Sequence, residues 1–140
     1  MGRILGVDLG ARRIGLAVSD PTGLIASPLR VLERSGDADV DRRAIVAVAR
    51  EEEAATVVVG LPKEMSGRSG IAAAAAAAEV EAIRALAPEL TVEVVDERLT
   101  TVIAQRSLIE AGVSRRKRKG TVDKVAAAVI LQSYLDAHRG

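Results

Sequence analysis

Apolar positions recur with period two over the first third of the chain. Arg3 to Gly10 sets Ile4, Gly6 and Asp8 on one face and Leu5, Val7 and Leu9 on the other, the pattern of a β-strand. Arg13 to Ser19 sets Ile14, Leu16 and Val18 against Gly15, Ala17 and Ser19, a second strand antiparallel to the first through a short turn at Gly10. Asp20-Pro21-Thr22-Gly23 has turn composition, and Leu24 to Glu33 reads as a third strand in which Pro28 is tolerated only at an edge or a bulge.

The period then changes. Ser35-Gly36-Asp37 breaks the strand, and from Ala38 to Glu53 the residues Val40, Ala44, Ile45 and Val48 recur at helical spacing. Ala55 to Val59 is a continuous apolar run suited to a central parallel strand, ending in Gly60-Leu61-Pro62, where open α/β sheets place ligands. An alanine-rich helix is expected over Ile71 to Ala87, stopped by Pro88. Thr91 to Val95 is a further strand, closed by Asp96-Glu97-Arg98, and Leu99 to Glu110 a helix ended by Gly112. The basic run from Arg115 to Lys119 reads as a flexible arm, after which Thr121 caps a last helix from Val122 to about Ala137 with Val125, Val129, Leu131 and Leu135 facing the core. The order βββ, αβ, αβ, αα predicts an α/β fold with a five-stranded mixed sheet, three antiparallel strands then two parallel, flanked by helices. No internal repeat or long linker divides it, so residues 1–140 read as one domain.

Composition narrows the chemistry. With 49% hydrophobic and 28% charged residues and a net charge of +1, the chain reads as a soluble protein whose attraction to nucleic acid must come from local clusters. The longest apolar run, Ile71 to Ala78, is far short of the ~20 residues of a membrane span. Asp8 interrupts any signal-peptide core, and Gly6 stands where a myristoylation signal wants Ser or Thr, so a cytoplasmic protein is expected. Zero cysteines exclude disulfides and thiolate chemistry, and a single histidine, His138, argues against a histidine triad or zinc site. One aromatic residue, Tyr134, leaves no stacking platform for single-stranded bases.

Carboxylates, hydroxyls, Lys and Arg remain. Asp8 sits in an apolar strand, where an ionised carboxylate needs a cation, a hydrogen-bond network or access to water. It projects from a face that Gly6 keeps open, which suits a metal or phosphate; alternatively it only orders the turn at Gly10. Right-handed crossovers bring the C-terminal ends of neighbouring parallel strands to one rim, so Asp8 and Glu97 are candidates to meet there; the ribonuclease H-like fold, which this strand order resembles, implies that the Asp96-Glu97 pair and Asp123 of the last helix join Asp8. Taken separately, Asp96 reads as a helix N-cap and Glu97 and Asp123 as first-turn acids. Together they suit two-cation phosphodiester hydrolysis, with pKa values raised by mutual repulsion until metal arrives. Arg115 to Lys119 is either a solvated loop or a phosphate-steering arm; five duplex contacts would give a salt slope of about −4.5. Gly60 to Gly70, with Lys63 and Arg68, is either a plain strand-to-helix turn or a phosphate cradle, and it lacks the Walker A ending.

Three antiparallel strands continued by two parallel ones, with an acid in the first, resemble the ribonuclease H-like fold. The motifs narrow this further. Gly6-Val7-Asp8-Leu9-Gly10 with Arg13 to Asp20, Val59-Gly60-Leu61-Pro62 with Met65-Ser66-Gly67, Asp96 to Thr101, and Arg115-Arg116-Lys117 with Asp123-Lys124 and Ala126-Ala127 are similar to the YqgF/RuvX family. Its members are described both as pre-16S rRNA nucleases and as Holliday junction resolvases. The resemblance implies a ribonuclease H-like nuclease using Mg²⁺ or Mn²⁺, trimming the 5′ end of pre-16S rRNA in the cytoplasm. It also implies Asp8, Glu97 and Asp123 as catalytic, metal-binding acids. Arg13, Lys63, Arg98, Lys124 and the run Arg115, Arg116, Lys117, Arg118 and Lys119 are the expected nucleic-acid contacts, with Lys124 also a candidate to steady transition-state charge. Structured RNA is the expected partner, branched DNA the second substrate class, and the protein a monomer or homodimer. Resolvases of the RuvC type carry a fourth acid on the last helix where this chain has Ala126, leaving Asp96 or Asp20 as substitutes. That difference motivates a second reading, a non-catalytic nucleic-acid-binding assembly factor. A third, an ATP-binding module suggested by Asp8-Leu9-Gly10, needs two lobes that 140 residues do not hold.

Overall fold

The computed structural model describes residues 2–10, 12–60, 69–95 and 115–138, with the side chains of 69–76 and 115–123 excepted. Five strands form one sheet in the order β3-β2-β1-β4-β5. They are β1 (Arg3–Leu9), β2 (Arg13–Ser19), β3 (Ala26–Glu33), β4 (Ala54–Gly60) and β5 (Thr91–Val95). β1 pairs antiparallel with β2 and parallel with β4; β2–β3 is antiparallel and β4–β5 parallel. Pro28 lies on edge strand β3 beside the one register shift of its ladder, as a residue without an N–H requires.

Alternation sorts the side chains onto two faces. Leu5, Val7, Ile14, Leu16, Val57 and Val59 pack with Ile45 and Val48 of α1 (Ala38–Glu51) and Val80 and Ile83 of α2 (Ser69–Leu86). Asp37 caps α1 by accepting from the N–H groups of Asp39 and Val40, and Arg42 of α1 grips Glu79 of α2 through two nitrogens at 3.1 and 3.0 Å. The opposite face holds Ile4, Ala17 and Val58 under Ala127, Ile130, Leu131 and Leu135 of α3 (Arg115–Ala137). Gln132 sets the placement of α3, accepting from the Ala26 N–H at 2.9 Å and donating to the Leu24 carbonyl at 3.0 Å.

Two expectations are corrected here. The basic run is no flexible arm and Thr121 no cap: the helix begins at Arg115 and carries both. Lys and Arg are good helix formers, Gly120 alone costs about 1 kcal/mol, and a helix anchored by packing downstream propagates cheaply upstream. The core-facing stripe holds at Leu131 and Leu135, with Val129 half-buried against the same cluster; Val125 is half-buried, and Ala126, Ala127, Ala128 and Ile130 complete the buried face. The helix expected over Leu99 to Glu110 lies outside the described residues, and none of the described helices is long and apolar enough to cross a membrane.

Candidate active site

The rim at the C-terminal ends of β1 and β4 is built around Asp8, which is 6% exposed. Its register partners are Gly15 on β2 and Gly60 on β4, so neither ladder places a side chain beside the carboxylate. Directly opposed residues share a face, which puts Arg13 two positions beyond Gly15 on the Asp8 side of the sheet. Immediately after Asp8 the chain turns: the Gly10 N–H donates to the carbonyls of Asp8 at 3.1 Å and Arg13 at 3.0 Å. A β-carbon on Gly10 would stand 2.6 Å from the Arg13 oxygen, so only glycine fits there.

Gly6 does not keep a face open for a ligand, contrary to expectation. A β-carbon there would stand 2.8 Å from the Leu131 Cβ and 3.1 Å from the Ala127 oxygen; the glycine admits α3 instead. The helix runs antiparallel to β1. Leu131 and Ala127 lie over Gly6, while Tyr134, Leu135 and His138 share a cavity wall with Gly2 and Ile4 at the other end. The N-terminal part of α3 therefore heads toward the Asp8 rim.

Asp20 lies at the opposite end of the sheet and cannot replace a fourth acid. The neighbouring Ser19 hydroxyl accepts from the Ile4 N–H at 2.9 Å, and Asp8 stands four strand steps beyond Ile4, roughly 13 Å. Its carboxylate orders the β2–β3 turn, accepting from the Thr22 hydroxyl and from the N–H groups of Ile25, Leu24 and Thr22. The Thr22 hydroxyl first, then these amides, hold it well below the usual carboxylate range. Ala126, the α3 position at issue for a fourth acid, is 1% exposed, so its methyl group is buried.

Asp96, Glu97, Arg98, Lys63 and Arg68 lie outside the described residues. Asp123 and the cations Arg115 to Lys119 are described as α3 backbone only; Lys124 is half-buried. No cluster of metal-ligating side chains occurs among the described residues. The glycines flanking Asp8 are the site feature the sequence reading passed over. The turn at Gly10 already implied that residues 8 and 15 face each other across the hairpin.

A mixed sheet of this order, with an acid at the rim of its central strand, defines the ribonuclease H-like class of nuclease folds. Solved structures share it. T. thermophilus RuvC in complex with a Holliday junction substrate is 18% identical, with a TM-score of 0.55 over 100% of this chain and 97% of that one. The Fowlpox virus resolvase, solved with Holliday junction DNA, is 14% identical, with a TM-score of 0.53 over 99% of each chain.

Closer relatives share the sequence. A protein of Mycobacterium sp. (strain KMS) named "Putative pre-16S rRNA nuclease" is 46% identical over 139 residues, 99% of this chain and 82% of that protein. A Nocardia farcinica protein of the same name is 43% identical over 140 residues, 96% of this chain and 78% of its own length. The model of the RuvX family, described as Holliday junction resolvase, matches residues 2–137, and the chain belongs to that family. Its members are nucleases, hydrolases of phosphodiester bonds.

Proposed function

We propose that the chain, acting as one ribonuclease H-like domain, is a cytoplasmic metal-dependent nuclease that processes the 5′ end of pre-16S rRNA. Branched DNA is its second substrate class. The observation that carries this is the placement of Asp8: a buried carboxylate at the ligand-binding rim of an α/β sheet, flanked in both ladders by glycine. The names of the relatives favour the RNA substrate.

The residues fit a hard cation. A buried carboxylate whose cross-strand partners in both ladders are glycine suits Mg²⁺ or Mn²⁺, which take oxygen ligands and retain water. Asp8, Glu97 and Asp123 would hold it. When bound, a divalent ion lowers the pKa of coordinated water and offsets phosphate charge. Helix arithmetic supports including Asp123. Position 123 precedes Ala127 by about 6 Å of helix rise, and Asp8 follows Gly6 by about 6.6 Å of strand, so the two positions come level on the shared face.

Arg13 stands on that face, and Lys63, Arg98, Lys124 and the run Arg115 to Lys119 would hold the phosphate backbone. Their attraction offsets the repulsion between nucleic acid and the acids. The buried methyl of Ala126 favours a second reading, a nucleic-acid-binding assembly factor without cleavage.

One experiment separates them. The purified protein and Asp8→Asn are incubated with a precursor 16S rRNA 5′ end and with a four-way DNA junction, in Mg²⁺, in Mn²⁺ and in chelator. Metal-dependent cleavage of the RNA that Asp8→Asn lacks is expected; cleavage surviving in Asp8→Asn overturns the assignment. Binding without cleavage, indifferent to chelator, establishes the second reading.

A further inference from the structure

The hairpin that follows Asp8 is gripped from outside the sheet by one side chain. Arg34 comes just after β3, and the register pairing Arg13 with Glu33 brings it beside the β1–β2 turn. Its N–H donates to the Arg12 carbonyl at 2.9 Å, and its Nε donates to the Gly10 carbonyl at 3.0 Å. Both backbone oxygens flanking the tip of the turn are thus held by one residue. Gly10 in turn donates to the Asp8 carbonyl, so the grip reaches the acid's own backbone through a single hydrogen bond.

Arg34 is itself seated. Its Nη1 lies 3.6 Å from Oδ2 of Asp41, a first-turn residue of α1 that is 7% exposed. The other oxygen of that carboxylate accepts from the Ser35 N–H at 3.0 Å, which ties the connection between β3 and α1 to the same group. The Ser35 hydrogen bonds, with the Arg34 charge, keep the Asp41 carboxyl below the usual range and so ionised at neutral pH. A turn in an unsupported hairpin frays readily; this one is fastened to a helix packed on the core. The arrangement uses the guanidinium fork, one nitrogen on the turn and another on the carboxylate, which an ammonium cannot reproduce.

We propose that Arg34, anchored by Asp41, is a positioning residue for Asp8: by holding the Gly10–Arg12 turn it fixes where the carboxylate stands at the rim. The inference rests on the reading of Asp8 as a metal-binding acid. Residues that orient a metal ligand from behind change metal affinity or activity about 10- to 100-fold when removed.

The test measures Mn²⁺ affinity by calorimetric titration, kcat and KM on the precursor rRNA end, and the melting temperature. These are compared for wild type, Asp8→Asn, Arg34→Gln, Arg34→Lys and Arg30→Gln, whose arginine makes an exposed pair with Glu51. Arg34→Gln is expected to weaken Mn²⁺ binding and lower kcat by about 10-fold, with KM changed less than about twofold. Arg34→Lys should fall between it and wild type, since it keeps the charge beside Asp41 and loses the fork. Arg30→Gln should match wild type. If Arg34→Gln does not fold, the Arg34→Lys comparison decides. A lowered melting temperature in the Arg34 variants with wild-type Mn²⁺ affinity and kcat overturns the positioning role. Loss of Mn²⁺ binding in Asp8→Asn alone overturns that role and leaves the metal reading intact. Wild-type Mn²⁺ binding by Asp8→Asn overturns both.

Discussion

Gly60 lies so close beneath Ile130 that a β-carbon on it would stand 2.6 Å from the Ile130 Cδ1. Gly6 is tighter in kind, because its β-carbon would meet the Leu131 Cβ and the Ala127 main-chain oxygen rather than the tip of a side chain. These two glycines set how near α3 comes to β1 and β4, and therefore how near its N-terminal part comes to Asp8.

Gly6→Ala should destabilise the protein by about 1–3 kcal/mol, because the helix backbone must retreat. Gly60→Ala should cost less, and Ile130→Val should recover part of the loss by removing the offending methyl. Denaturant unfolding of the single and double variants checks this. Additive effects of Gly60→Ala and Ile130→Val would show that the two residues do not compete for the same space.

Mn²⁺ should raise the melting temperature of the wild type and leave that of Asp8→Asn unchanged. A ligand at 100 times its Kd stabilises the folded state by about 2.7 kcal/mol, a shift readily seen in a thermal melt. In chelator the two proteins should melt within a few degrees of each other. A metal-dependent shift retained in Asp8→Asn would place the ion elsewhere.

The helical setting of the basic run changes the salt dependence of binding. Five consecutive helical residues are about 100° apart, so roughly three of Arg115 to Lys119 can face one phosphate backbone at once. The log–log slope contributed by the run should be about −2.7 on duplex and about −2 on single strands, rather than the −4.5 of five simultaneous contacts. Comparing wild type with a variant in which Arg115, Arg116, Lys117, Arg118 and Lys119 are all replaced by alanine isolates it. A difference near −4.5 would mean the helix unwinds on binding.

Tyr134 carries a readout at alkaline pH. Burial and then the Glu93 carboxylate, which accepts from its hydroxyl, raise its pKa from 10.0 to about 12. A raised folded pKa means that the folded state holds its proton longer. The corresponding stability is complete below pH 10 and is lost as pH climbs through about 12. As the chain has one tyrosine, ultraviolet difference titration reads it directly. A midpoint near 10 in the native protein would refute the contact; Tyr134→Phe should remove this alkaline loss.

At the acid end the sign reverses. Asp20, held low by the Thr22 hydroxyl and the Ile25 amide, and Asp41, held low by Ser35 and Arg34, have folded pKa values below 3.8. Their stabilisation is present above that unfolded value and disappears as pH falls through the lower folded values. Melting temperature measured from pH 5 downward should fall less steeply in Asp20→Asn than in wild type. Parallel curves would contradict the assignment.

Local patterning was enough to specify the strands, the edge position of Pro28, the Gly10 turn and the exceptional character of Asp8. Period-two alternation, proline's missing donor and a charge inside an apolar run act over a few residues. The family was legible as well, because its motifs are contiguous. Tertiary structure decided the rest. Whether Gly6 opens a face or admits a helix depends on a partner more than a hundred residues away, which no local pattern carries. The start of α3 at Arg115 depended on packing farther along that helix, and the separation of Asp20 from Asp8 on strand direction across the hairpin. The grip of Arg34 on the Gly10–Arg12 turn follows from the β2–β3 register and the seat on α1, distances that exist only once the sheet has formed.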